Sequence, residues 1–140
     1  MKQTRNAALV GAALFALTVG ALAQGPFAGS ANMTCAQALK KAPKDDPSLA
    51  GLAKAFDSES AKLKKSPKDA KVPKEYVLSG VKYEQKVVRL PNSLNSPEKY
   101  RAGLALCRLV LAVDPKNPEC KRDYDEIVTI YKSMNRPIPQ

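Results

Sequence analysis

The stretch SPEKYRAGLALCRLVLAVDPKNPECKRDYDEIVTIYKSM, residues 96–134, decides the fold. Pro97 stands at a first helical position, where the missing amide costs nothing. Beyond Lys99 the apolar residues Leu104, Leu106, Cys107, Leu109, Val110 and Leu111 leave only Arg101 and Arg108 charged before Asp114. A helix apolar nearly all round has to be covered on most sides, so residues 97–113 are predicted to form the central element. Asp114-Pro115-Lys116-Asn117 interrupts the pattern. Pro118 restarts it, and Tyr124, Ile127, Val128, Tyr131 and Met134 then lie on one stripe at helical spacing.

The same opening device recurs upstream at Asp46-Pro47 and Val72-Pro73. Asp46, Ser96 and Asn117 are each expected to accept a hydrogen bond from a first-turn amide. Leu49, Leu52, Ala53, Phe56 and Leu63 mark a helix over 47–65, and Tyr76, Val77, Gly80, Val81, Val87 and Val88 mark another from Pro73. A shorter helix is predicted at about Met33–Lys41. The fold class is therefore all-α, a compact array of about five helices in antiparallel hairpins, with only a weak strand pattern at Lys86–Leu90.

An internal repeat supports the hairpins. Residues 66–91 and 114–139 align without gaps, matching Pro67 with Pro115, Lys68 with Lys116, Tyr76 with Tyr124, Tyr83 with Tyr131 and Pro91 with Pro139. The tyrosines of each pair lie seven apart on one helical face, where packing with hydroxyls at the rim is the expected role. Leu39–Asp45 (LKKAPKD) echoes Leu63–Asp69 (LKKSPKD), which suggests a third hairpin corner.

Leu106–Asn117, an apolar helix end followed by a D-P-x-N turn, resembles the close of a tetratricopeptide repeat. Tyr76, Gly80 and Tyr83 are similar to the aromatic, glycine and aromatic spacing of that family's first helix, and Gly103 with Cys107 to the packing positions of its second. The likeness covers about residues 66–134. The 89–96 connection is longer than the family's turn, 47–65 lacks its pattern, and Val128 stands where the first copy has Gly80. About one and a half repeats are recognisable, so a compact tetratricopeptide-like domain over 32–140 is expected rather than an open superhelix.

In that family first helices line a groove for an extended peptide. The resemblance implies partner-binding positions Lys74, Val77, Val81, Glu84 and Gln85 in one copy, and Arg122, Asp125, Thr129, Lys132 and Ser133 in the other. Lys74, Arg122 and Lys132 would offer cations to an acidic segment.

Lys2 and Arg5, the apolar run Ala7–Gly20 and Ala21-Leu22-Ala23 read as a secretory signal peptide over 1–23, with a flexible segment at 24–31. Retention as an anchor is the alternative, since the run approaches the length that spans a bilayer. Cys35 lies too far past Ala23 for a lipoprotein. The expected address is periplasm, cell envelope or extracellular space.

Residues 1–23 carry Lys2 and Arg5 and no acid, so their removal leaves 117 residues and lowers the net charge from +10 to +8. A basic exported protein attracts anionic partners: an acidic protein within an envelope complex, an anionic polymer, or lipid head groups. Lys62, Lys64, Lys65, Lys68 and Lys71 crowd one predicted corner and are candidates for polyanion binding; solubility alone is the competing role. Nucleic acid does not fit an exported address.

Cys35, Cys107 and Cys120 are disulfide candidates, and an odd number leaves one over. In a level antiparallel hairpin Cys107 would sit about four residues deeper than Cys120, roughly 6 Å of offset on a helix separation of roughly 9 Å, beyond disulfide reach. That favours Cys35 as the bridging residue, with its partner open; three unbridged thiols are the alternative.

The chain has no histidine and no glycine-rich phosphate loop, and its cysteines lack zinc-type spacing. No cofactor or metal is expected. The residues point to a non-enzymatic, extracytoplasmic protein-binding scaffold with a basic helical face; an envelope-associated protein that binds polyanions or anionic lipid is the alternative. A secreted enzyme would need an activity that survives chelation and depends on one carboxylate.

Overall fold

The computed structural model describes residues 32–140, so the predicted signal peptide and the 24–31 segment lie outside the described residues. Five helices follow in order: α1 (Cys35–Asp45), α2 (Ala50–Lys65), α3 (Val72–Val88), α4 (Ser96–Val113) and α5 (Pro118–Ser133), with a 3-10 turn at Pro47–Leu49. The described residues contain no strand; 86–88 close α3 instead.

Each start has a local cause. Thr34 accepts from the Gln37 amide while the Gln37 side chain accepts from the Thr34 amide, a reciprocal cap that opens α1. Asp46 Oδ1 accepts from Ser48 N at 2.9 Å, and Asn117 Oδ1 from Cys120 N at 3.0 Å, as their places before proline predict. At α4 the cap is Asn95 rather than Ser96. Its Oδ1 accepts from Glu98 N at 3.0 Å, and Ser96 enters the helix with Pro97 second.

The expected corner at 39–45 is helical. α1 runs through Pro43 to Asp45, whereas the matching 63–69 stretch leaves α2 at Lys65. Ala42, fully buried, stands where Ser66 is exposed, and burial of the α1 face holds the helix through a proline that removes one internal hydrogen bond.

α4 is the hub. α1, α3 and α5 pack directly on it, and α2 packs on α3. One cluster gathers Phe56, Tyr76, Tyr83, Val87, Ala102 and Leu106; a second, Cys35, Leu104, Ile127 and Tyr131; a third, Val81, Cys107, Val110 and Cys120. The two tyrosine pairs thus serve mainly different parts of one core. The hydroxyls of Tyr83 and Tyr131 do not reach the rim: both are buried without a hydrogen-bond partner among the described residues, and burial pushes Tyr83 up to about 12.

Two glycines let the helices close on each other. A Cβ on Gly80 would meet Val110 Cγ2 at 2.5 Å and Phe56 Cε2 at 3.0 Å, and one on Gly103 would overlap Val88 and meet Ile127 Cδ1 at 3.2 Å. Gly80 therefore admits α4 and α2 against α3, and Gly103 admits α3 and α5 against α4. Coverage of α4 fails at its last turns, where Leu109 and Ala112 are exposed.

Candidate binding face and buried polar cluster

The outer face of α3 carries two open grooves. One, about 370 Å³, runs between α3 and the α4–α5 turn, floored by Val77, Val81 and Val113 and edged by Lys74, Asp114, Asn117 and Glu119. The other, about 450 Å³, lies between α2 and α3 and includes Leu52, Glu59, Lys62, Glu75 and Lys82. Leu78 lines both and is 55% exposed. Lys74, Leu78 and Lys82 follow one another at four-residue steps, a single column on the helix. Neither lysine has an ion pair among the described residues.

The expected partner-binding positions divide. Lys74, Val77 and Val81 share the first groove. Arg122, Asp125, Thr129, Lys132 and Ser133 are exposed along α5, but that groove reaches α5 only at its first turn. The reason is axial: Gln85 Nε2 donates to Glu119 Oε1 at 3.3 Å and Arg89 Nε to Asp123 Oδ2 at 2.8 Å, so the start of α5 lies beside the end of α3. Arg122 is also engaged, its Nε donating to Asp123 Oδ1 at 2.8 Å, and Lys121 pairs with Asp125 at 3.7 Å.

Glu84 is a correction. It is fully buried and touches no solvent from which a partner could approach. Its carboxyl lies against the Asp123 carboxylate. Burial and that like charge push Glu84 up to about 9, so it holds its proton at neutral pH. Burial raises Asp123 as well, but hydrogen bonds from Arg89, Arg122 and Glu84 outweigh it and hold the carboxyl at about 2. Arg89 also reaches Glu126 at 3.1 Å. The arginines of α4 lie elsewhere: Arg108 donates to Pro139 O at 2.7 Å and stacks over Tyr124, while Arg101 lies buried near Cys35 and Tyr131.

The cysteines require a second correction. Cys107 and Cys120 are fully buried in one cluster with Val81 and Val110, near enough that each shifts the other's ionisation, Cys107 up and Cys120 down. The offset expected of a level hairpin does not keep them out of one cluster. Cys35 sits in another cluster, where its thiol donates to Pro139 O at 3.5 Å and Arg108 Nη1 donates to its sulfur at 3.5 Å. All three are free thiols.

Comparison with known families, curated proteins and solved structures finds no match for this chain. The chemistry must be read from the residues alone. The described residues contain no group of three or more His, Cys, Asp or Glu placed to hold a metal ion, and no helix among them is long and apolar enough to cross a membrane. Glu84 is perturbed as a catalytic acid would be, yet it lines neither groove on α3 and has no path to a substrate.

At the 62–71 corner Lys64, Lys65, Lys68 and Lys71 are exposed with no ion pair among the described residues, while Lys62 is held by Glu59 at 2.7 Å. Leu78 was missed as a site residue. The available signal was an apolar side chain lying off the Tyr76–Gly80–Tyr83–Val87 stripe and between two lysines.

Proposed function

We propose that the protein is a non-enzymatic, extracytoplasmic binding module that docks an acidic protein segment across the outer face of α3. The observation that carries this reading is Leu78, exposed between two grooves and flanked by Lys74 and Lys82. An apolar anchor entering beside Leu78 would bury surface at Val77 and Val81, and acidic neighbours would find the lysines uncommitted. Tetratricopeptide-like hairpins using the first helix of a repeat fit the same face, with the α3 residues rather than the α5 residues in contact.

The test is site-specific photo-crosslinking in intact envelopes, with the crosslinker at position 78 and, as control, at position 129 on exposed α5. A discrete protein adduct is expected at 78 alone, and it should disappear in the Lys74→Glu, Lys82→Glu double variant while the thermal midpoint stays put. Equal capture at both positions, or capture indifferent to charge reversal, would reject the reading.

A second reading rests on the uncommitted lysines of the 62–71 corner, which suit a phosphate-rich lipid surface. Sedimentation with phosphatidylglycerol vesicles should then fall steeply between low and physiological salt and weaken further on Lys64→Glu or Lys68→Glu. Salt-insensitive association, or none, would remove it.

A further inference from the structure

We propose that Cys107 and Cys120 close a disulfide that fastens α5 to α4 beneath the groove on α3, leaving Cys35 as a thiol. Cys107 and Cys120, from neighbouring helices, are both fully buried and lie in one cluster with Val81 and Val110. Val77, which lines the groove, packs on that same cluster, and Asn117, at the groove edge, accepts from the Cys120 amide. A bond here therefore ties together the ends of α4 and α5 that form the wall of the groove facing α3. Cys35 is held away by the chain end: its amide donates to Gln140 O at 2.7 Å and its thiol faces Pro139 and Arg108.

Closure requires an oxidant of the disulfide class. The reaction starts from the fraction of Cys120 present as thiolate while the site is open. That thiolate attacks the oxidant's sulfur–sulfur bond, giving a mixed disulfide and a departing thiolate, which takes the Cys107 proton. The Cys107 thiolate then attacks Cys120 Sγ, forms the protein disulfide and expels the second oxidant thiolate, which is protonated by water. Two protein thiols lose two electrons, and one oxidant disulfide becomes two thiols. Both sulfurs are covered in the folded protein, so exchange occurs while α5 is undocked, during folding.

The test is to refold the reduced full chain with oxidised glutathione, remove excess oxidant and digest with trypsin. Intact mass should fall by about 2 Da, two hydrogens, with one alkylatable thiol left. The digest should contain peptide 102–108 joined to 117–121, and the join should persist in Cys35→Ser. The unfolding midpoint of the oxidised protein should exceed that of the reduced protein by on the order of 10 °C. Three alkylatable thiols after refolding, or a crosslinked peptide containing Cys35, would overturn the assignment. These readouts need neither a partner nor a membrane, so they stand apart from any failure of the proposed function.

Discussion

Replacing Glu84 with glutamine removes a titrating proton from the core while keeping the shape and a donor toward Asp123. In the wild type the carboxyl titrates near its ordinary value of 4.5 when unfolded and at about 9 when folded. Between those limits the native state holds a proton that the unfolded chain has released, so stability falls as pH rises, by about 1.4 kcal/mol per unit. From pH 6 to pH 8 the loss is about 3 kcal/mol, a large part of the ~5–15 kcal/mol that holds a domain together. With a urea dependence of about 1–3 kcal/mol/M, the wild-type midpoint should drop by roughly 1–3 M across that interval. The chain has no histidine, so little else titrates there. Urea melts of both proteins at pH 6, 7 and 8 make the comparison; Glu84→Gln should be nearly flat and should overtake the wild type at pH 8. A wild type that is itself flat, or a variant that follows the wild-type slope, would refute a buried, protonated Glu84.

Gly103→Ala should destabilise by about 1–3 kcal/mol, because its Cβ overlaps Val88 in a packed core, whereas Gly51→Ala meets nothing and should stabilise by up to about 1 kcal/mol through helix propensity; thermal melts separate the two. Hydrogen bonds from Ser48 and Ser93 hold the Asp46 carboxyl well below its usual range. Its contribution is therefore complete above about pH 4 and lost as pH falls further, so Asp46→Ala should narrow the gap between variant and wild-type melts at acid pH. Asn117→Ala, which strips the cap from α5, should cost about 1 kcal/mol and can be read by the same melts. Leu78→Asp should leave the midpoint within about 0.5 kcal/mol of wild type, since an exposed side chain holds no core contact; a larger drop would make Leu78 structural rather than a docking residue.

Local chemistry was legible in the chain. Proline at the first turn with Asp46 or Asn117 before it marks a helix start wherever it falls, and the unbroken apolar character of 104–111 demands neighbours on several sides; both follow from backbone valence and burial within a few residues. Glu84 could have been suspected, because it lies four residues past Gly80 on the stripe that carries Tyr76, Tyr83 and Val87. Sequence did not reveal where α5 sits along α3 and α4. That one displacement takes Arg122, Asp125, Thr129 and Lys132 out of the α3 groove, gives Asp123 to Arg89, and sets Cys107 in one cluster with Cys120. The energy that sets it comes from side chains far apart in the chain, closing around Gly80 and Gly103, and a packing register of that kind has no period that a linear reading can detect.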